Sequence, residues 1–294
     1  MKQYGLVAIA GRPNVGKSTL MNHLIGAKVS AIANKPQTTR HNIRGILTEG
    51  EVQIVFVDTP GIHKTSKSLL NKTINMEAVA ALEEVDAVLM LVEAMRWTEE
   101  DDLVLQRLAH VKCSVFLIAN KVDRVSDKEM LLAWLEMVHT KRDFQEVFPL
   151  SATKGINTPQ LQRTLLELMP ESEWAYEDDD ITDQSTKFIC GELVREQLMT
   201  YLHQELPYST AVEVERFEDK GKIIEIDAAI WVSRESQKGI IIGHKGESLK
   251  RIGSSARISI ENFLERKVML KLWVRLEENW ENSPRHLQQL GISR

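Results

Sequence analysis

Gly11-Arg12-Pro13-Asn14-Val15-Gly16-Lys17-Ser18 stands directly after the apolar run 6–10 (LVAIA) and opens a segment, 17–24, whose apolar residues recur at helical spacing. A glycine-rich loop between a strand and a helix turns backbone N–H groups toward a phosphate chain, and the helix adds its positive end. Lys17 is placed to reach β- and γ-phosphates, and the Ser18 hydroxyl to ligate Mg²⁺. Gly11, Arg12, Pro13, Asn14, Val15, Gly16, Lys17, Ser18 and Thr19 are therefore read together as the cradle of a nucleoside triphosphate.

A second motif chooses the base. Asn120-Lys121-Val122-Asp123 follows the apolar run 115–119. A carboxylate there accepts hydrogen bonds from guanine N1–H and from its 2-amino group. Adenine lacks both donors and would leave Asp123 unpaired, which selects GTP over ATP. Asn120 supports the base from its other side, and Ser151-Ala152, after the run 147–150, is placed to hold guanine O6. Asp58-Thr59-Pro60-Gly61 closes the run 52–57, with Asp58 set to hold Mg²⁺ through water and the Gly61 amide to sense the γ-phosphate. Between these lies Pro36-Gln37-Thr38-Thr39-Arg40, where a threonine would ligate Mg²⁺; Thr39 is preferred to Thr38. Both segments are candidate switches, because their order would depend on the γ-phosphate.

Around these motifs, short apolar runs (6–10, 52–57, 85–92, 115–119, 147–150) alternate with helical patterns (17–24, 69–82, 127–139). Continuous rather than alternating apolar runs suit strands covered on both faces, so the expectation is an α/β domain with a mostly parallel sheet. Residues 171–183 (ESEWAYEDDDITD) then bring seven acidic residues and no basic one. A solvated linker is the plain reading of such a block, and an acidic mimic of RNA the sharper one. Beyond it, a helical pattern over 187–205 ended by Pro207, strand-like runs at 211–217 and 223–232, two helical stretches and a strand at 268–276 make a smaller α+β domain. The expected division is 1–170, an acidic linker 171–186, and 187–294.

GRPNVGKSTL, PQTTRH, DTPGIHK, NKVD and SAT resemble, in order and spacing, the Era family of ribosome-assembly GTPases, and the resemblance covers essentially the whole chain. It implies a P-loop GTPase domain followed by a KH domain of type II, with GTP and GDP as nucleotides, magnesium as metal and slow intrinsic turnover. The catalytic candidates are Lys17, Asn14, Thr39 and Gly61. The residue after Gly61 is Ile62, where small signalling GTPases carry a water-orienting glutamine. An apolar side chain cannot orient water, and related GTPases with an asparagine at the position of Asn14 are thought to recruit potassium. Asn14 is accordingly expected to hold K⁺, which would compensate transition-state charge. His63 is read chiefly as an exposed loop histidine.

In the second domain, Gly243-His244-Lys245-Gly246 interrupts two helical stretches, the G-x-x-G arrangement of a KH domain. Glycines there let the backbone approach a single RNA strand, His244 and Lys245 point outward, and an apolar groove takes unstacked bases. The isoleucines 240–242 before the turn are expected to be core, with one of the three lining that groove. Lys250 and Arg251 lie within a turn of the motif and Arg257 extends the track; Arg266 and Lys267 are left as a solvated face.

Charge looks at first like an objection. The 294 residues hold 37 Lys+Arg against 42 Asp+Glu, a formal −5, with 43% hydrophobic and 27% charged residues. That composition excludes disordered and fibrous classes, but an acidic chain is a poor nucleic-acid ligand. By region the objection dissolves: residues 1–170 carry +1, 171–186 carry −7 and 187–294 carry +1, while 234–275 hold ten Lys/Arg and four Glu, a local +6.

The family resemblance implies binding at the 3′ end of small-subunit (16S) ribosomal RNA, and help with 16S rRNA processing and 30S subunit biogenesis. Partners would be that RNA and the small subunit, met by a monomer, with peripheral inner-membrane association expected from the resemblance alone. The alternatives are a nucleotide-gated RNA checkpoint in which hydrolysis matters little, and a GTPase of cell division or tRNA modification. The last leaves the G-x-x-G domain unexplained. Cys113 and Cys190 cannot build a disulfide framework and fit small buried hydrophobes in a reducing compartment. With no signal-peptide or lipidation pattern, a soluble cytoplasmic protein is expected.

Overall fold

The computed structural model describes residues 1–33, 35, 38–61, 68–203 and 206–292. The chain forms two compact units, the first mainly residues 1–30, 39–61 and 74–183 and the second mainly 184–292. No helix among the described residues is long and apolar enough to cross a membrane.

The first unit runs β1 (Gln3–Ala10), α1 (Lys17–Ile25), β2 (Ile43–Glu49), β3 (Val52–Asp58), α2 (Leu69–Ala80, of which residues 74–80 belong to this unit), β4 (Ala87–Glu93), α3 (Glu99–Arg107), β5 (Ser114–Asn120), α4 (Lys128–His139), β6 (Val147–Pro149) and α5 (Thr158–Leu168). Its sheet has the order β2-β3-β1-β4-β5-β6, parallel throughout except for β2, which pairs antiparallel with β3. β4 is buried at all positions but its last, and β5 at all but its first, as expected of strands with helices on both faces. While Thr39 lies in the connection that enters β2, the other four of the five nucleotide motifs leave the carboxyl ends of strands: the glycine loop after β1, Asp58 at the end of β3, Asn120 at the end of β5, and Ser151 just past β6. That is where ligands sit in an open parallel sheet.

β2 is the element that sequence patterning does not announce. Its run IRGILTE is an edge strand whose burial weakens toward Glu49, and a glycine interrupts its apolar residues. The acidic stretch is also more than a tether. Its carboxylates are mostly exposed, but its backbone is pinned to the first unit. Ile46 N–H donates to the Ile181 carbonyl at 2.9 Å and the Thr182 hydroxyl to the Arg44 carbonyl at 2.6 Å. Fully buried Gln53 accepts from the Ala175 and Tyr176 amides at 3.2 and 3.1 Å, and donates to the Tyr176 carbonyl at 3.0 Å. The segment lies beside an edge strand whose backbone groups would otherwise be open for pairing.

The second unit runs α6 (Thr186–Tyr201), β7 (Thr210–Asp219), β8 (Ile224–Val232), α7 (Glu235–Ile242), α8 (Glu247–Leu264), β9 (Val268–Leu276) and α9 (Pro284–Gln289). The α-β-β-α-α-β order matches the expectation, with α9 added; α6 stops at Tyr201, six residues short of Pro207. β7 pairs antiparallel and β9 parallel with β8. One flank of its core joins Leu193, Val194, Ile226, Ala228, Ala256 and Ile260. The other joins Leu198, Ile230, Val232, Ile241 and Ile252.

Candidate nucleotide site and RNA-facing turn

Lys17 opens α1 and is buried, and its Nζ donates to the Gly11 and Arg12 carbonyls at 3.1 Å each. Burial pulls its pKa down to about 8, against the pull of the Asp58 carboxylate, which favours the charged form. Gly16, the residue before the helix, has φ +105°, and a Cβ there would lie 2.3 Å from Asn120 Nδ2. Glycine is needed at that position both for the backbone conformation and for the close approach of Asn120.

Asp58 ends β3 with no exposed surface. Its Oδ2 accepts from the hydroxyls of Ser18 (2.6 Å), Ser30 (2.9 Å) and Thr39 (3.1 Å), and Ser18 Oγ and Thr39 Oγ1 are 2.9 Å apart. Thr39 and Ser18 thus stand together beside Asp58. Thr38 does not join them: its hydroxyl donates to the Lys35 and Ala33 carbonyls at 2.7 and 3.3 Å. Asp58 Oδ1 is buried without a hydrogen-bond partner among the described residues, and burial raises the Asp58 pKa despite Lys17 and the three hydroxyls. An orphaned carboxylate oxygen beside two hydroxyls is a position that gains from a nearby cation, so these residues fit Mg²⁺. Ser30 was not anticipated from sequence. It is held by Asn22, whose Oδ1 accepts from the Val29 and Ser30 amides at 3.0 Å each.

Asn120 is a staple between three loops. Its Nδ2 donates to the Val15 carbonyl at 2.7 Å, and its Oδ1 accepts from the Lys121 and Ala152 amides at 2.8 and 3.0 Å. Asn120 thus already holds the Ala152 amide of the Ser151-Ala152 pair expected at guanine O6. Ser151 is fully buried, and its Oγ accepts from the Lys154 amide at 3.2 Å. Lys121 Nζ donates to the Asn14 carbonyl at 2.8 Å and pairs with Glu93 at 3.4 Å. Val122 is half-buried, and Asp123 is exposed with its carboxylate open to a base.

Three candidates turn away from the site. Arg12 is buried, its Nε donating to Asp101 at 3.1 Å and a terminal nitrogen to Glu93 at 3.4 Å, so the side chain ties the loop to α3 instead of meeting phosphate. Asp101 also accepts from the Thr98 amide and hydroxyl at 2.9 and 2.8 Å, capping α3. The Thr59 hydroxyl donates to the Ile9 carbonyl at 2.8 Å, which spends it on β1. Val15 is fully buried in the core. These three can serve a nucleotide only through their backbone. Pro13, Pro60 and Gly61 are buried beside the loop, Thr19 is half-buried, and Asn14 is exposed at φ +64°. Pro36, Gln37, Ile62 and His63 lie outside the described residues.

On the second unit, Gly243 ends α7 at φ +71° and Gly246 precedes α8 at φ +81°. A Cβ on Gly243 would come 2.7 Å from Ser248 Cβ, so the tight turn requires glycine. His244, Lys245, Lys250 and Arg251 are exposed, and Arg251 stacks over the Tyr201 ring at 4.6 Å. Arg257 is half-buried and pairs with Glu261 at 2.8 Å, which already occupies its charge. Of the three isoleucines before the turn, Ile241 is core, Ile242 is half-buried and Ile240 is 60% exposed, so the run is not uniformly core.

A family described as 50S ribosome-binding GTPase matches residues 6–121, and a KH domain family matches 205–281. GTPase Era of Marinobacter nauticus is 49% identical over 289 residues, covering 98% of this chain and 95% of that protein. GTPase Era of Pseudomonas aeruginosa is 50% identical over 287 residues, covering 98% and 94%. The chain belongs to the Era family. It is therefore a GTPase with a carboxy-terminal KH domain. Two solved Era structures superpose with TM-score 0.95 at 36% identity: Aquifex aeolicus Era bound to GDP·AlF4⁻, over 99% of this chain and all of that one, and Era in complex with MgGDPNP and nucleotides 1506–1542 of 16S ribosomal RNA, over all of both.

Proposed function

We propose that this Era-family chain binds the 3′ end of 16S ribosomal RNA through its KH domain, and by doing so assists 16S rRNA processing and 30S subunit biogenesis. The observation that carries the reading is the exposed His244–Lys245 tip, held between two positive-φ glycines with Lys250 and Arg251 beside it. The likeness to an Era solved with 16S nucleotides supports it. Gly243 and Gly246 bring the backbone close to the RNA chain, and the tip and following helix meet its phosphates.

At the nucleotide site, Lys17 exchanges its two carbonyl partners for β- and γ-phosphate oxygens, and the loop amides donate to the same chain. Ser18 and Thr39 would ligate Mg²⁺ and Asp58 would hold it through water. Bound there, Mg²⁺ neutralises the phosphate charge that grows in the transition state. Asn14, exposed at the loop crest, is available to hold K⁺ near the same charge. Asp123 reads the guanine edge while Asn120 keeps the phosphate and base loops in register, and the Gly61 amide reports the γ-phosphate. The same reading makes the protein a cytoplasmic monomer whose partner is the small subunit, with peripheral contact at the inner membrane.

Crosslinking the intact protein in cells and sequencing the attached RNA tests the RNA assignment, with 16S 3′-end sequences as the expected result. A dominant RNA of another class would overturn it. Lys17→Ala should stop hydrolysis and accumulate immature 30S particles; particles maturing at the normal rate would separate hydrolysis from assembly. Hydrolysis should be faster in K⁺ than in Na⁺, and Asn14→Ala should erase that difference.

A further inference from the structure

We propose that a cleft at the far end of the first unit from the nucleotide loops binds a small free amphiphile, an apolar body carrying one carboxylate or phosphate group. The cleft measures about 660 Å³ and lies between the carboxy-terminal part of α2 with the turn after it, the carboxy-terminal part of α3, and the approach to β5. It opens near the amino ends of β4 and β5, whereas the glycine loop, Asp58, Asn120 and Ser151 lie at carboxyl ends. Its volume falls within the range of about 300 to 1,000 Å³ usual for small-molecule sites.

Its lining is divided in a way that suits one ligand chemistry. Leu82, Val85, Leu103 and Val111 form an apolar floor on the flank of the core cluster. Arg107, His110 and Lys112 stand on the exposed rim, and none of them has an ion pair or side-chain hydrogen bond with a described residue. Glu83 is the one acidic residue in the lining. An apolar floor removes hydrocarbon surface from water, and the unpaired cations sit where the head of such a molecule would emerge. An uncharged ligand would leave the rim unused, and a simple inorganic anion would leave the floor unused.

The cleft carries its own reporter. Cys113 lines it and is half-buried, with burial raising the thiol pKa, whereas Cys190 has no exposed surface. The probe is decanoate, with decanol as its uncharged counterpart, added to the full chain in excess Mg²⁺ and GDP. The readout is the rate of N-ethylmaleimide addition to Cys113, followed by mass spectrometry with Cys190 as the buried control. Decanoate should slow the addition saturably and decanol should slow it less. Arg107→Glu with Lys112→Glu, two exposed positions, should weaken decanoate protection about tenfold and leave decanol protection unchanged. Leu103→Trp, which fills the floor, should abolish protection by both.

Unaltered Cys113 reactivity at saturating decanoate would overturn the proposal. Equal protection by decanol would also overturn it, because the rim would then recognise nothing. A third arm uses phosphatidylglycerol vesicles. If decanoate gives no protection while the charge reversals abolish co-sedimentation with vesicles, the cleft is a bilayer contact and the free-ligand assignment fails.

Discussion

The two functional regions of this protein are built on opposite plans. At the nucleotide site most of the charged and polar groups are buried and already paired, Asp58 Oδ1 excepted. Asp58 accepts three hydroxyls, Asn120 joins three loops, and Arg12 is held by Asp101 and Glu93. At the turn 243–246 and the start of α8, His244, Lys245 and Lys250 are exposed, with no ion pair to another described residue. A phosphate chain of fixed shape is best met by groups preorganised in a low-dielectric site, where each polar contact is strong and each orphan is costly. A flexible single strand is best met by exposed cations, which exchange counterions for phosphates without disturbing the fold.

Substitutions should accordingly damage the two regions in different ways. The largest effect should come from an exposed member of the nucleotide site. Asp123→Ala removes the acceptor for two guanine donors and should lower GTP affinity by about 10³-fold or more. The Tm of the nucleotide-free protein should be unmoved, because the folded chain makes no use of that carboxylate; a lower Tm would place Asp123 with the buried set. Next, Asp101→Ala leaves the Arg12 guanidinium buried with one counterion fewer. Urea unfolding of the first unit should lose about 3 kcal/mol, and KM for GTP should rise. The Arg12→Ala/Asp101→Ala pair should recover part of that loss; simple additivity would mean the pair does not couple.

Charge reversal at the turn is expected to be milder and of another kind. His244→Asp with Lys245→Asp should weaken RNA binding by about 10- to 100-fold and flatten its salt dependence, with stability unchanged. Lys245 sits at φ +50°, a conformation aspartate tolerates, so the fold has no reason to resist. The smallest effect lies on the rim of the same unit. Asp219, held by Arg266 at 2.6 and 2.8 Å, has its pKa lowered from 3.8 to about 2. A lowered carboxylate pKa stabilises above the unfolded value and loses that contribution as pH falls toward about 2. Asp219→Asn should therefore be slightly less stable than the wild type at pH 7, with the gap closing between pH 4 and pH 2. A gap that persisted at pH 2 would assign the effect to packing instead of ionisation. Solvent screening keeps the effect small.

The same contrast explains how much could be read from residues alone. The strands of the first unit are legible because strands buried on both faces are written as unbroken apolar runs, 115–119 being the plainest. The phosphate loop is legible because strand, glycine turn and helix follow one another within a dozen residues. The preference for Thr39 over Thr38 rested on position only; in the structure their hydroxyls go to different partners, and Thr39 is the one beside Asp58. Arg12 looked like part of the cradle because it sits inside the motif, yet its partner Asp101 is 89 residues away. β2 was missed because an edge strand interrupted by a glycine carries no strong period. In the acidic stretch the exposed carboxylates follow from composition, but nothing local in 171–183 announces that Gln53 will hold its backbone.

Sequence by itself therefore determined the α/β class, the second domain's α-β-β-α-α-β order, the choice of guanine and the glycine turn between α7 and α8. Each of these depends on residues adjacent in the chain or on a side chain whose chemistry suits one ligand. Tertiary structure alone decided which members of a motif face the ligand and which brace it, where Ser30 and Gln53 enter, and that a cation-rimmed apolar cleft exists beside Cys113. Those outcomes depend on groups brought together from distant strands and helices, and a hydrogen bond or a cleft is defined only once both of its sides are in place.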